Sequence, residues 1–407
     1  MNKLSLIILF LALPCWVAAQ DKDKRWAWDY ESDEDTVPHK DVIDIFKSVV
    51  RYKAKPPKRG KRRIYYSLLP APSNIPGGGI ALITSTNAAF YMGPRRTTNL
   101  SNVSFTPSFS FKGRFSFALR SNIWFQDNAY NMVGDIRFII NPQYTWGTGE
   151  GVPEEEKQLL GNNYFRVYET FYRRVTKEWL VGVGYHLDWH SNIGIRSNDS
   201  VQLSKFVGYN YGTDGGQTVS SGVSLNLLKD SRQNSINPQS GHYFNAVFRI
   251  NPRFLGSNDN WESLYVDYRK YLNLGNGKQQ NVLAFWGFYW TSLSTKTPYL
   301  DLPSIGWDPN FRSGRGMDQN RFRGKALIDL EAEYRRDITR DGLLGFVLFA
   351  NTNTVTEGDR YRFTAFHPAG GGGLRLKFNK KSNTNIAVDY GISRYGTRFS
   401  INLGEAF

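Results

Sequence analysis

Apolar and polar side chains alternate along this chain, in repeated stretches of about ten residues from about Gly77 onwards. In one stretch, Ile328 and Leu330 alternate with Asp329 and Glu331. Because successive side chains of a β-strand point to opposite faces, each stretch predicts a strand with one apolar and one polar face. A stretch of about ten residues is also the length that a tilted strand needs to cross a bilayer.

After its first residues the sequence has no run of the roughly 20 apolar residues that a transmembrane helix requires. A membrane protein without such helices must be a closed barrel, because lipid cannot solvate unpaired backbone groups. The sequence therefore predicts an all-β fold, a transmembrane antiparallel β-barrel of about 16 strands over residues 77–407. Residues 191–216 are interpreted either as one long loop or as containing a strand around residues 206–211. A soluble β-sandwich is the alternative fold, but its strands are usually shorter.

The N-terminus has the pattern of a secretory signal peptide, expected to span residues 1–19. Lys3 precedes an apolar run, and small residues end the segment before Gln20. The single cysteine, Cys15, falls in this segment, so we expect no disulfide and no thiolate metal site in the mature chain. A lipid-anchor role for Cys15 is the alternative, which Pro14 disfavours.

Residues 20–76 differ from the alternating part and are predicted to form a short tail. Seven Asp or Glu lie from Asp21 to Asp35, and eight Lys or Arg lie between Arg51 and Arg63. Between these blocks, apolar residues at helical spacing predict an amphipathic helix from about residue 40 to residue 52. They are Val42, Ile45, Phe46, Val49 and Val50. The apolar stripe needs a surface, either the inner face of the membrane or the mouth of the barrel; a solvated linker is the third interpretation.

Charge and missing motifs limit the function. The formal charge is 51 − 36 = +15, and an exported chain is expected to meet anionic lipid headgroups rather than nucleic acid. Neither G-x-S-x-G nor H-E-x-x-H occurs, and the glycines at 370–373 lack the Lys-Ser/Thr of a phosphate loop. His186, Asp188 and His190 share a strand face, which a polar lumen explains without a metal. We expect no enzymatic activity, no cofactor and no metal.

The last residues show the alternation most clearly. Phe399, Ile401, Leu403 and the terminal Phe407 share one parity. They predict a final strand that ends on an aromatic residue at a membrane boundary. A terminal phenylalanine resembles the targeting signal of bacterial outer-membrane proteins, so we expect an integral outer-membrane location in a Gram-negative cell.

Two motifs stand out in the second half of the chain. The first is a polar turn between two strands, ending in proline and glycine, with Asp230, Arg232, Asn234, Pro238 and Gly241.

The second motif lies in a long segment that begins near Ser294. It contains Arg315 and Gly316, continues through residues 321–325, and is followed by a strand that includes Glu333.

In this order, the motifs resemble the BamA/TamA-type outer-membrane assembly-factor superfamily, also called the bacterial surface antigen barrel family. They are similar to its D-S-R-x-N…P-x-x-G-x-Y turn, its R-G-[YF] loop tip and its L-x-A-E-Y-R strand. The resemblance implies a long loop folded back into the barrel. The sequence departs from the family at Met317, where an aromatic residue is usual, and at Asn320, where glycine is usual.

The resemblance also implies an ion pair in the lumen. In relatives, the loop arginine pairs with the strand glutamate and with an aspartate on the next strand, and the matching positions are Arg315, Glu333 and Asn351. Parity places Glu333 on the polar face, where such a pair is charge-assisted. Asn351 lacks the negative charge, for which Asp389, also inward by parity, is a candidate replacement. The alternative is that Arg315 is a solvated loop cation.

The family's function is assistance in inserting or translocating proteins or lipids at the outer membrane. Its assembly factors carry periplasmic polypeptide-transport-associated (POTRA) domains, for which residues 20–76 are too short. A non-catalytic structural subunit of an outer-membrane complex and a passive pore are therefore the alternative functions. The expected partners are outer-membrane lipids, client outer-membrane or surface proteins and other envelope proteins.

Overall fold

The computed structural model describes residues 40–49, 64–75, 79–111, 113–140, 142–196, 216–232, 234–275, 279–309, 311–357 and 361–407. Within these ranges, one α-helix, α1 (Val42–Val49), precedes an antiparallel wall of 16 long strands and one three-residue strand, β6. None of the helices in the described ranges has the length and apolar character to span a bilayer.

The strands follow one another along the chain as β1 (Tyr65–Ile75), β2 (Gly79–Phe90), β3 (Ser101–Ser110), β4 (Phe115–Trp124), β5 (Tyr130–Ile140), β6 (Gln143–Thr145), β7 (Gln158–Arg174), β8 (Leu180–Ile195), β9 (Gln217–Asp230), β10 (Gly241–Asn251), β11 (Trp261–Asn273), β12 (Asn281–Ser292), β13 (Ala326–Asp337), β14 (Leu344–Val355), β15 (His367–Asn379), β16 (Thr384–Ser393) and β17 (Gly396–Leu403). Single 3₁₀ turns lie at Gln126–Asn128, Glu154–Glu156, Arg253–Leu255 and Tyr299–Asp301.

Each long strand pairs with its sequence neighbours, from β1 with β2 to β16 with β17. Among the described residues, the short β6 pairs only with the start of β7. β1 and β17 lie close together, but among the described residues no backbone ladder joins them, so the barrel is nearly closed. We call this place the seam.

The predicted alternation of faces is present in the wall. On β9, Val223 and Leu225 are 47% and 61% exposed, whereas Ser224 and Asn226 between and beside them are buried. An apolar exterior and a polar lumen are typical of a transmembrane barrel. The all-β barrel of about 16 strands predicted from the sequence is confirmed.

The two ends of the barrel differ in their connections. Short turns such as residues 338–343 and 380–383 form one end, the turn rim, and long connections such as residues 293–325 form the other end, the loop rim. Helix α1 lies at the turn rim, where the backbone N–H of Lys40 donates to the carbonyl of Asp341 at 2.9 Å. The predicted helix extended to residue 52, and residues 50–52 lie outside the described ranges.

The predicted start of the barrel at Gly77 was wrong by one strand. β1 belongs to the wall, since it pairs with β2 from Tyr65 to Ile75. Pro70 and Pro72 interrupt the alternation in β1 and made it resemble a linker. Proline is tolerated in a strand at an edge, where its missing N–H removes no ladder bond. The predicted leader and the predicted strand at residues 206–211 lie outside the described ranges.

Candidate functional site

The candidate site is the long connection between β12 and β13, residues 293–325, which turns back into the barrel and which we call the lumen loop. Its residues Tyr299 and Phe322 are fully buried. Gly314 and Gly316 have φ angles of 70° and 96°, a backbone region that glycine adopts without strain. These two glycines turn the chain on either side of Arg315.

Arg315 is 8% exposed and faces three carboxylates. Its guanidinium donates to Glu331 and Glu333 on β13, and its Nη1 lies 3.3 Å from Asp389 Oδ2 on β16. The guanidinium centre also lies 3.7 Å from the ring centroid of Phe349. Burial by itself lowers the pKa of Arg315, but Glu331, Glu333 and Asp389 raise it above its usual value, so this loop residue stays a cation.

Two strand arginines share these carboxylates. Arg335 Nε donates to Glu333 at 2.6 Å, and Arg375 Nη1 donates to Asp389 at 2.6 Å. Arg375 also donates to Glu405 at 2.7 Å. A charged network of this kind is stable only when its members are paired, because each charge has lost its water.

The backbone on both sides of Arg315 fits the wall closely. Asn351 Nδ2 donates to the carbonyl of Arg315 at 2.9 Å, and Ser393 Oγ donates to the carbonyl of Gly316 at 2.8 Å. A Cβ atom on Gly391 would lie 2.6 Å from the backbone nitrogen of Gly316. The loop therefore packs against β16 with no space for a side chain at position 391.

These contacts show where each residue of the predicted group lies. Arg315 is paired with Glu333, and Asp389 supplies a carboxylate, whereas Asn351 holds the loop backbone and not the guanidinium. Glu331 was missed as a partner, although it lies two residues before Glu333 and shares its parity.

The lumen loop contacts the other half of the wall through Phe311. The guanidinium centre of Arg137 on β5 lies 3.8 Å from the Phe311 ring centroid, and Arg137 also donates to the carbonyl of Pro309. Trp307 meets Tyr164 on β7 edge-on, with 5.6 Å between ring centroids. The loop is thus anchored on β5 and β7 as well as on β13–β16. No sequence motif pointed to this second anchor.

Met317 and Asn320, the two departures from the family motif, both make specific contacts in the structure. Asn320 has a φ of 64°, a conformation that asparagine tolerates better than most non-glycine residues. Met317 is buried, and Asn353 Nδ2 approaches its sulfur at 3.3 Å. Asn320 also donates to Gln143 at 2.9 Å, so it adds a bond that glycine lacks.

The turn between β9 and β10 is held by its own side chains. Arg232 binds Asp230 through two parallel bonds of 2.9 and 2.8 Å, and Asn234 Oδ1 accepts from the backbone of Ile236 at 2.8 Å. Gly241 has a φ of 97°, and a Cβ there would lie 2.7 Å from the carbonyl oxygen of Ser231. Pro238 lies between Asn237 and Gln239 in the same turn. This cluster shapes the turn rim and lies apart from the Arg315 contacts described above.

The prediction for the last residues was right for the strand and wrong for Phe407. β17 ends at Leu403, with Phe399 60% exposed on the outside. Phe407 is 4% exposed and packs in the lumen against Trp286, with 5.3 Å between ring centroids. Gly404, with a φ of 83°, turns the chain inward, where the arginine at 335 donates to the Phe407 carbonyl at 3.0 Å. The parity of Phe407 predicted an outward side chain, but parity gives the face of a residue only within a continuous strand, and β17 ends before this residue.

The histidines set aside as metal ligands have other partners. His186 lies 2.9 Å from Ser224 Oγ, and His190 lies 3.1 Å from Asp301. Asp188 between them binds Arg166 at 3.2 Å and also pairs with a second arginine. Among the described residues no group of His, Cys, Asp and Glu is arranged to hold a metal ion.

The lumen beside the loop holds a cavity of about 400 Å³. Charged and aromatic side chains line it, among them Arg120, Asp135, Tyr168, Asp188 and Arg249. The lumen loop and the Gly404–Phe407 segment form part of its boundary.

Comparisons with known proteins found no matching family model and no matching curated protein. BamA from Haemophilus ducreyi lacking POTRA domains 1–3 is similar at 13% identity over 85% of this chain and 70% of that chain, with a TM-score of 0.49. CdiB from Acinetobacter baumannii is similar at 11% identity over 84% of this chain and 66% of that chain, with a TM-score of 0.48. CdiB from Escherichia coli is similar at 11% identity over 86% of this chain and 62% of that chain, with a TM-score of 0.53.

Each likeness is low in sequence identity, and this chain spans less than two thirds of either CdiB chain. Such likeness shows a fold and not an activity. The fold expected from the family resemblance is confirmed: this chain has the barrel fold of CdiB from Escherichia coli.

Proposed function

We propose that this chain is a non-catalytic outer-membrane barrel that assists proteins or lipids to enter or cross the membrane at the seam. The observation that carries this proposal is the seam itself, where β1 and β17 lie together without a ladder among the described residues. Unpaired strand edges pair readily with other strands. A client strand that pairs there satisfies its own backbone groups, which lipid strongly favours.

The outer-membrane location is supported by the barrel exterior. Leu225, Leu330 and Phe399 lie on three different strands, and all are at least 48% exposed. Water does not favour so many apolar side chains on one surface, whereas a bilayer does. The likeness in fold to CdiB from Escherichia coli and the resemblance of the loop motif agree with this location.

The lumen loop supports a role other than passive conduction. Arg315 binds one half of the wall, and Phe311 contacts the other half, so the loop crosses the lumen between them. A crossed lumen reduces free diffusion. The same observation favours a second candidate function, a plugged scaffold within a larger outer-membrane complex.

Depletion of the protein followed by quantitative proteomics of the outer membrane tests the proposed function. We expect a defined set of barrel or surface proteins to fall in abundance, and complementation to restore it. If no such protein falls, assistance to protein clients is refuted, and a parallel lipid analysis decides whether lipids are the clients. An intact outer-membrane complex that dissociates on depletion, without loss of clients, supports the scaffold.

A sharper test locks the seam. Leu68→Cys on β1 and Ile401→Cys on β17, joined by a flexible bismaleimide in a Cys15→Ser background, hold the two strands together. Tyr334→Cys with Leu348→Cys is the matched control, because these residues are directly opposite within the continuous wall. We expect only the seam crosslink to abolish complementation, and equal complementation by both crosslinked proteins would refute a role for the seam.

A further inference from the structure

Helix α1 is fastened to the turn rim along one polar edge. The backbone N–H of Lys380 donates to Asp41 Oδ2 at 2.9 Å, and Lys380 Nζ lies 3.1 Å from Asp44 Oδ2. Asp41 is 3% exposed, and the Lys40 backbone bonds the neighbouring turn through Asp341. Two turns of the barrel therefore hold the start of the helix in place.

The apolar face of α1 points away from that edge. Val42, Ile45 and Phe46 occupy positions i, i+3 and i+4, which lie on one side of a helix. Ile45 is 41% exposed and Phe46 is 67% exposed, so the barrel does not cover this face. An amphipathic helix with an uncovered apolar face is stable when another apolar phase covers it.

The position of α1 along the barrel indicates what covers its apolar face. Leu344, the first residue of β14, is 42% exposed and belongs to the outward apolar face. Ile338, in the preceding turn, is 57% exposed and follows the outward parity of β13. This turn ends the outward apolar belt and also receives the start of α1 at Asp341. Helix α1 therefore begins at the level where the belt ends.

Exposed cations mark the same level. They are Lys40 just before α1, Arg336 near the end of β13, and Arg340 and Lys381 on the two turns, and all four are exposed. Lysine and arginine at the ends of membrane-spanning segments place their charges among headgroups while their stems stay in the apolar layer. Each such residue near an anionic leaflet adds to membrane attraction.

We propose that α1 is an interfacial membrane helix, which seats Ile45 and Phe46 in the leaflet at the turn rim among anionic phospholipid headgroups. This inference rests on the outer-membrane location proposed above. The partner is the membrane itself, since the apolar face of α1 and the four exposed cations near its start match an anionic leaflet. The helix adds an anchor on the side of the barrel that carries the turns.

Fluorescence quenching on the full chain, reconstituted in vesicles, tests the proposal. A polarity-sensitive probe is attached at Phe46→Cys in a Cys15→Ser background, with Ser48→Cys on the polar edge as the matched control. Phe399→Cys on the barrel exterior reports barrel insertion. Vesicles contain phosphatidylethanolamine with phosphatidylglycerol, or phosphatidylcholine alone, and a lipid brominated near the headgroup is the quencher. Heat-modifiability on gels checks that each variant is folded.

We expect the probe at Phe46→Cys to shift its emission to the blue and to be quenched in anionic vesicles, with little change at Ser48→Cys. Quenching at Phe399→Cys without quenching at Phe46→Cys overturns the proposal and leaves the barrel location standing. Absence of quenching at both sites refutes the location as well. Equal quenching in neutral vesicles overturns the assignment to anionic headgroups, and crosslinking between two copies through Phe46→Cys overturns the lipid as occupant.

Discussion

Removal of the Arg315 side chain should destabilise the barrel by an amount that the contacts determine. Glu333 keeps Arg335 and Asp389 keeps Arg375 after Arg315→Ala, but Glu331 has no other cation partner among the described residues. Leaving a buried charge without its partner costs about 3–5 kcal/mol. Because only one carboxylate loses its sole partner, we expect about 3 kcal/mol, the lower end of that range.

The measurement is urea unfolding of the protein in phospholipid vesicles, followed by tryptophan fluorescence. The midpoint should fall without a change in slope, since the surface exposed on unfolding stays the same. Lys296→Ala is the control, a cation on the same loop whose side chain is 60% exposed and whose ion pair with Asp259 spans 3.8 Å. An exposed substitution of this kind is expected to change stability by less than about 0.5 kcal/mol.

A double substitution tests the cause. If the cost of Arg315→Ala comes from Glu331 left unpaired, Glu331→Gln in the Arg315→Ala background should recover part of the lost stability, because it removes the unpaired charge. A strictly additive pair would show that Glu331 and Arg315 are not coupled. An Arg315→Ala protein as stable as the wild type would refute the anchoring role of the arginine.

Three further predictions follow from the geometry of the loop and the chain end. Gly391→Ala should lower the free energy of unfolding by about 1–3 kcal/mol in the same assay, because its Cβ would lie 2.6 Å from the Gly316 backbone nitrogen. Gly372→Ala, where the nearest contact of the Cβ is 3.3 Å, should cost less. Equal costs for the two variants would contradict close packing of the loop. Phe311→Ala should raise single-channel conductance in planar bilayers, because the loop loses its ring contact with the β5 arginine, and an unchanged conductance would show that this anchor does not close the lumen. A probe at Phe407→Cys should not be quenched by brominated lipid, because this residue is buried in the lumen, and strong quenching would place it on the exterior instead.

Much of the wall could be predicted from the sequence because strand periodicity is local. On β13, the parity of Leu330 and Glu331 already separates the exposed side chain from the buried one. The count of strands agreed with the structure, although the first strand was misplaced. β1 was missed because Pro70 and Pro72 interrupt its pattern, and its position at the seam depends on the tertiary structure.

The loop site was predicted only in part. The resemblance of the motif and the parity of Glu333 indicated the Arg315 contact, and parity also made Asp389 a candidate. Parity does not say which inward side chains meet across a lumen, so Glu331 was not distinguished from other inward residues. The contact of Phe311 with β5 joins residues 174 positions apart and carried no local signal.

The sequence predicted a barrel, the apolar face of strands such as β4, β13 and β16, and the motif that the lumen loop carries, because periodicity and short motifs are properties of neighbouring residues. The folded barrel, and not the sequence, shows that Asn351 holds the loop backbone, that Asp389 supplies the carboxylate, that Gly404 turns Phe407 into the lumen and that α1 leaves its apolar face uncovered at the turn rim. These outcomes depend on how the closing wall brings distant strands together, and no local pattern of residues encodes those distances.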